Sequence, residues 1–322
     1  MKLNNKKLNK IKGDASFRTF YRLRSNKKNS IIVFAYREKE KNLLIYDAIN
    51  SLLNKSNILA PKLLNENYKR NYIEIEDFGN LTFSKILKKK GSNKIKIFKN
   101  IIILLNKIQK IKKNKIRNFK GQYYKIEKYS NKKLFKEAEL FCDWYVKKLY
   151  PKHKSIKLNK LIKRQIKILL SKIRLKNNTF VHRDFHASNL MKYKNKIAVI
   201  DSQDALIGNR AYDLASFIDD VRLKSKIEFK NKIFDYYIYL NKTNISKSDF
   251  QNDFQILSVL RNLKIIGIFT RLSSRDNKRN YLKFIPHAWK LIELRLNNNL
   301  ELFGEIKKVL DKNFPSKKRL IK

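Results

Sequence analysis

TFVHRDFHASNLMKYKNKIAVIDSQDALIGNRAYDLASFIDD, residues 179–220, is the stretch around which the rest of the chain can be read. Thr179–Val181 is a short apolar strand, His182–Asn189 a polar loop, and Leu190–Tyr193 and Ile197–Ile200 two further strands joined by the turn Lys194-Asn195-Lys196. Asp201 follows the last strand directly. A hairpin of that length can fold Asp201 back beside Asn189, so Asp184, Asn189 and Asp201 are delivered to neighbouring strand ends. The spacing suits phosphoryl transfer. One carboxylate, Asp184, orients a hydroxyl nucleophile, while an amide, Asn189, and a second carboxylate, Asp201, are hard oxygen donors for Mg²⁺ on a nucleotide.

Composition bounds the alternatives. With 322 residues, 43% hydrophobic and 12% aromatic, the chain can bury a sizeable core and is not a disordered polymer. Its net charge of +49 invites a nucleic-acid reading. The excess is mostly lysine, spread along the chain and accompanied by frequent asparagine and isoleucine, so we read it as compositional bias. It predicts incidental, salt-sensitive sticking rather than a specific nucleic-acid partner. One cysteine, Cys142, rules out an intramolecular disulfide and fits a reducing, cytoplasmic location. The N-terminal MKLNNKKLNKIKGD is charged without a following apolar run, unlike a secretory signal. No apolar run is long enough for a membrane span. One cysteine and no H-E-x-x-H spacing leave nothing with which to build a zinc site.

Before the opening stretch the chain changes character once. Phe17–Leu23, Ser30–Tyr36 and Asn71–Glu76 read as strands, and Glu38–Leu53 as a helix with apolar positions at Leu43, Leu44, Ala48, Leu52 and Leu53. After Asp77-Phe78-Gly79 the pattern turns helical, over Leu81–Lys90, Ile95–Ile111, Leu134–Leu149 and Leu158–Leu175, with lysines on the outer faces. Helices resume near Ala211. This is an α+β layout: a small, mostly antiparallel lobe over residues 1–78, a hinge near Asp77–Asn80, and a larger helical lobe over residues 79–322.

The string His182-Arg183-Asp184, four residues and Asn189, followed by Asp201 and D-x-Q-D, resembles the catalytic loop of the kinase-like fold in its aminoglycoside phosphotransferase form. Three more stretches resemble one branch, the bacterial N-acetylmuramate/N-acetylglucosamine anomeric sugar kinases of cell-wall recycling: GDASFRTFYRL from Gly13, FCDWYV from Phe141, and RNLKIIGIFTRLSSRDNKRNYL from Arg261. The resemblance implies a two-lobed protein-kinase-like fold that binds ATP and Mg²⁺. Its product would be an amino sugar phosphorylated at the anomeric hydroxyl.

The resemblance also assigns positions. Gly13, Ala15, Ser16 and Phe17 would cradle phosphates with main-chain N–H groups, and Glu76 and Phe78 would meet the nucleotide at the hinge. His182, Arg183 and Asp213 would support the catalytic loop. His186 belongs with these bracing groups rather than with the acid–base chemistry. Asp204 is either a metal or substrate contact or a turn cap. Asp143, Trp144 and Arg271 are candidates for sugar binding, with Arg222 and Arg261 beside them. Trp144 could stack on a sugar ring or simply fill the core.

One departure stands out. The strand after the phosphate loop usually carries a lysine paired to a helix glutamate, yet Ile31-Ile-Val-Phe-Ala-Tyr36 has none. Arg18, Arg22 or Arg37 could supply that charge. Three rivals follow: an aminoglycoside- or choline-type kinase, a nucleotide-binding regulator without turnover, and a nucleic-acid-binding protein.

Overall fold

The computed structural model describes residues 8–11, 18–24, 29–35, 42–243 and 245–321. They fall into two compact units, residues 1–127 with 179–207, and residues 128–178 with 208–322. These units are cut differently from lobes divided at 78/79. Two helices after the hinge and the hairpin within residues 179–207 belong with the N-terminal sheet.

In the first unit five strands form one antiparallel sheet: β1 (Leu8–Ile11), β2 (Thr19–Leu23), β3 (Ser30–Phe34), β4 (Leu63–Asn67) and β5 (Tyr72–Glu76), in the order β1-β2-β3-β5-β4. Register explains the burial. Ile31 faces Ile75 and Val33 faces Ile73, so alternate β-branched residues stack on one side of the pleat. The helix α1 (Asn42–Lys55) lays Leu43 and Tyr46 on that face, and Ala35 completes the cluster. Each fully buried Val or Ile contributes roughly 1.5–3 kcal/mol. β1 and β4 escape a sequence reading because LNKI and LLNEN carry no apolar alternation.

The hinge expected near Asp77–Asn80 is organised by one arginine. Arg22 on β2 donates from Nε and Nη2 to the two Asp77 carboxylate oxygens at 2.5 and 3.0 Å. Its Nη1 reaches Asn80 Oδ1 at 2.7 Å and its Nη2 the Gly79 carbonyl at 3.0 Å. Gly79 takes φ +81°, a conformation that glycine reaches without strain. The unit continues with α2 (Phe83–Lys88), α3 (Lys94–Gln109) and a small ribbon of β6 (Lys115–Arg117) and β7 (Tyr123–Lys125).

The second unit holds α4 (Asn131–Ala138), α5 (Lys147–Leu149), α6 (Lys152–Ser171), α7 (Ala211–Ile218), α8 (Ile227–Asn241), α9 (Lys247–Asp276), α10 (Ile285–Asn298) and α11 (Leu300–Asn313). The expected helix Leu134–Leu149 is not continuous. Phe141–Val146 winds as a π-helical turn between α4 and α5, because its aromatic face follows the packing of the core rather than a 3.6-residue period. Phe141, Tyr145, Trp289 and Phe314 make that core, with ring centroids 5.0–6.0 Å apart. The Trp289 indole N–H donates to the Tyr145 hydroxyl at 3.0 Å, which donates to the Arg319 carbonyl at 2.8 Å. α9 is buried over most of its length, and Gly267 at its middle lets the main chain of Leu140 and Phe141 come within contact distance. No described helix is long and apolar enough to cross a membrane.

Candidate active site

The site grows from the strand β8 (Thr179–Val181), buried throughout. Beyond it the loop carries His182–His186 and a single 3-10 turn, Ala187–Asn189, before β9 (Leu190–Tyr193) and β10 (Lys196–Val199). β9 and β10 pair antiparallel, with Leu190 opposite Val199 and Tyr193 opposite Lys196. The two residues between, Lys194 and Asn195, both take positive φ, 44° and 58°. Such a turn has the twist that a two-residue hairpin needs. The strand β11 (Leu206–Gly208) returns to pair with β8.

This hairpin brings Asn189 and Asp201 side by side. The Ile200 N–H donates to the Asn189 carbonyl at 3.0 Å, so Asp201 begins where Asn189 ends. The Asn189 Nδ2 donates to the Asp184 carbonyl at 3.0 Å. That bond fixes the amide plane and turns Oδ1 to its other side, as an acceptor for a ligand. His182 is buried and donates from Nε2 to the Ile200 carbonyl at 3.1 Å. Its burial lowers the imidazole pKa, so the ring is neutral and braces the loop base against the end of β10. Arg183 donates to the Asp204 carbonyl at 3.1 Å. Arg183 and Asp201 both hold left-handed backbone, φ 72° and 62°. For Arg183 that conformation costs roughly 1–2 kcal/mol, which the surrounding bonds must offset.

Asp201 accepts from Gln203 Nε2 at 3.2 Å, and the same amide donates to Asp204 at 3.0 Å. Protein atoms crowd Asp201 although 41% of its side-chain surface stays open. That desolvation pushes its carboxyl above the usual range; Asp184 and Asp204 push the same way, against Arg18 and Gln203. Asp184 and Asp204 thus add negative charge around Asp201 that Arg18 only partly opposes, and a divalent cation would neutralise it. The donor set fits Mg²⁺: one amide oxygen and one carboxylate, both hard. Among the described residues no three or more His, Cys, Asp or Glu form a self-sufficient metal cage.

Other expected positions fall in several places. Gly13, Ala15, Ser16 and Phe17 lie outside the described residues, as does Arg37. Glu76 accepts at Oε2 from the Lys62 N–H at 3.3 Å. Phe78 is buried beneath the hairpin with Met191 and Ala198, its ring 4.8 Å from that of Tyr193. Its side chain is spent on packing. Arg22 is consumed by the hinge. In the second unit, Asp213 is fully buried in the first turn of α7. Asp143 forms ion pairs with Lys163 and Lys147 at 3.5 and 3.7 Å. Trp144 and Arg271 are half-buried, and Arg271 Nε meets no acceptor. Arg222 is tied to Asp220, whereas Arg261 is buried with its Nη1 unsatisfied.

Two contributions were invisible in the sequence. Ser202, the variable residue of D-x-Q-D, donates to Asn50 Oδ1 at 2.8 Å in full burial, tying α1 to the residue after Asp201. Tyr46 on α1 stands beside Arg18, the guanidinium carbon 5.9 Å from its ring centre. The only signal for either was the helical spacing of α1, which marks a buried face but not its partner.

The chain is 27% identical over 282 residues to the N-acetylmuramate/N-acetylglucosamine kinase of Neisseria meningitidis, spanning 85% of this chain and 80% of that protein. It is 26% identical over 300 residues to the enzyme of that name from Pseudomonas putida, spanning 91% and 85%. The fold is shared with Plasmodium vivax ethanolamine kinase, with a TM-score of 0.61 at 16% identity and 93% and 84% coverage. A spectinomycin phosphotransferase solved with ADP and spectinomycin has it too, at 0.60, 16% identity and 90% and 92% coverage. Residues 7–245 match the model of the phosphotransferase enzyme family. With a kinase-like fold and an Asp-Asn-Asp hairpin beneath that match, the chain belongs to the phosphotransferase enzyme family and is an enzyme that passes a phosphoryl group to a hydroxyl.

Proposed function

We propose that the chain is an ATP-dependent amino-sugar kinase acting on the anomeric hydroxyl of N-acetylmuramate or N-acetylglucosamine. The carrying observation is the double anchoring of Asn189, by the Asp184 carbonyl on one side and Ile200 on the other, which sets an amide oxygen beside Asp201. The names of the curated relatives support the choice of sugar.

Asp184 accepts the hydrogen bond of the sugar hydroxyl and aligns its oxygen with the γ-phosphorus. Asn189 Oδ1 and the Asp201 carboxylate would hold Mg²⁺, which would supply charge neutralisation for the phosphate oxygens. His182, Arg183 and Gln203 keep the loop and the Asp201 carboxylate in place before substrate arrives, so little reorganisation is left for the reaction itself. Asp204, Asp143, Trp144 and Arg271 are left as weaker candidates for the acceptor side. The same reading makes the enzyme cytoplasmic, with no specific nucleic-acid or membrane partner.

The test is ATP consumption with Mg²⁺ across N-acetylmuramate, N-acetylglucosamine, choline, ethanolamine and aminoglycosides, for wild type and Asp184→Asn. Turnover on an amino sugar that falls about 10²–10⁴-fold in the variant is the expected result. Turnover confined to choline or aminoglycosides would overturn the acceptor. Undiminished turnover in Asp184→Asn would remove Asp184 as the base.

A further inference from the structure

Arg18 stands immediately before β2 with only 7% of its surface exposed. Burying a guanidinium is costly, and proteins do it where an anion is to be met. The facing acid is Asp201, with 3.9 Å between Arg18 Nη2 and Asp201 Oδ1. That is close enough for attraction and too far for a hydrogen bond. On its other flank the guanidinium lies over Tyr46 of α1, a contact that holds its plane.

Among the described residues, the neighbouring strand and helix lack the pair that normally grips a nucleotide's phosphates. In kinase-like enzymes a strand lysine, held by a helix glutamate, binds the α- and β-phosphates. Here β3 is Ser-Ile-Ile-Val-Phe, without a lysine. The one acid of α1 is Asp47, whose neighbours are the Phe119 main chain and Lys55. Among the described residues neither β3 nor α1 carries its member of the usual pair, and the position between sheet, α1 and Asp201 is filled by Arg18 over Tyr46. The other described candidate, Arg22, has Nε, Nη1 and Nη2 all committed to Asp77, Gly79 and Asn80.

We propose that Arg18 is the phosphate-binding cation of this enzyme. Tyr46 orients its guanidinium, and its N–H fork takes oxygens of the nucleotide's α- and β-phosphates next to Asp201. A fork gives two parallel hydrogen bonds where an ammonium gives one point charge. The inference rests on the kinase reading above and adds the residue that replaces the missing lysine.

The test compares binding of ADP and of adenosine, in Mg²⁺, to wild type, Arg18→Met and Arg18→Lys, with ADP measured by calorimetry and adenosine by competition. A phosphate cation acts on ADP alone. Arg18→Met should weaken ADP about 10–100-fold, the range expected when hydrogen bonds to a charged group are lost. Adenosine affinity should stay within about twofold of wild type. Arg18→Lys should fall between the two and keeps the test alive if the methionine variant does not fold. In steady state the KM for ATP should rise while that for the sugar is unchanged. ADP affinity preserved in both variants, or ADP and adenosine weakened alike, overturns the proposal and makes Arg18 a structural counter-ion of Asp201. If wild type phosphorylates the sugar while Arg18→Met keeps its ADP affinity, only this proposal falls. If wild type binds neither ligand, the kinase reading falls with it.

Discussion

Replacing Asp219 with alanine would leave two buried cations in the second unit without their counter-charge, Lys230 Nζ keeping the Ile218 carbonyl as acceptor. The Asp219 carboxylate is wholly buried and receives Lys230 Nζ at 3.0 Å, Arg295 Nε and Nη2 at 2.9 and 3.0 Å, and the Ser258 hydroxyl at 2.6 Å. Lys230 and Arg295 are themselves only 3% and 4% exposed. At about 3 Å and an effective dielectric constant near 20, each attraction is of order 5 kcal/mol before desolvation is subtracted. Removing one partner from such a buried group typically costs about 3–5 kcal/mol, because the remaining charges stay desolvated. For a chain of this size that corresponds to a melting-temperature drop of roughly 10 °C, readable by calorimetry at pH 7. Asp219→Asn, which keeps an acceptor but not the charge, should fall between alanine and wild type. Asp219→Leu combined with Arg295→Met should recover part of the loss.

The acid limb checks the same charges. Burial alone would raise the Asp219 carboxyl, but Lys230, Arg295 and Ser258 overcome it and hold it well below the ordinary carboxylate range. A depressed folded value means stability that is present above about pH 4 and lost as pH falls through that folded value. The gap between wild type and Asp219→Asn should therefore narrow on acidification. If Asp219→Ala melts within a degree or two of wild type, the cluster contributes nothing net and this account of it is wrong.

Two further expectations concern single positions. A Cβ on Gly267 would lie 2.3 Å from the Leu140 carbonyl carbon and 2.6 Å from the Phe141 nitrogen, so Gly267→Ala should destabilise by about 3 kcal/mol or more. Gly304, inside α11 with open space around it, is the control: Gly304→Ala should stabilise by about 0.5–1 kcal/mol in the same denaturation series. Burial pushes the Asp47 carboxyl up to about 6, against the Phe119 main chain and Lys55. A raised carboxyl favours the folded state while protonated, so stability should fall as pH rises from about 4 to about 6. Urea midpoints across that window should be flat for Asp47→Asn if Asp47 is the cause.

Much of this enzyme is local text. The Asp184–Asn189–Asp201 spacing, the two-residue turn at Lys194-Asn195, and the helical runs that became α1, α3 and α6 can be read because neighbours in sequence make their hydrogen bonds. So can the change from strands to helices after Asp77. The reading failed where a partner lies far along the chain. LNKI and LLNEN are strands only because other strands pair with them. Leu134–Leu149 contains a π turn at Phe141–Val146 where its aromatic face meets the core, and Gly267, more than a hundred residues away, admits the main chain at Leu140 and Phe141.

The arginines show the same division. Sequence alone showed a strand without its lysine and named Arg18, Arg22 and Arg37 as cations that could replace it. Tertiary structure separated the two that are described: Arg22 is spent on the Asp77–Asn80 hinge, and Arg18 is buried between Tyr46 and Asp201. Short-range spacing encodes backbone geometry. Which charges share one desolvated space depends on chain segments that meet only after folding.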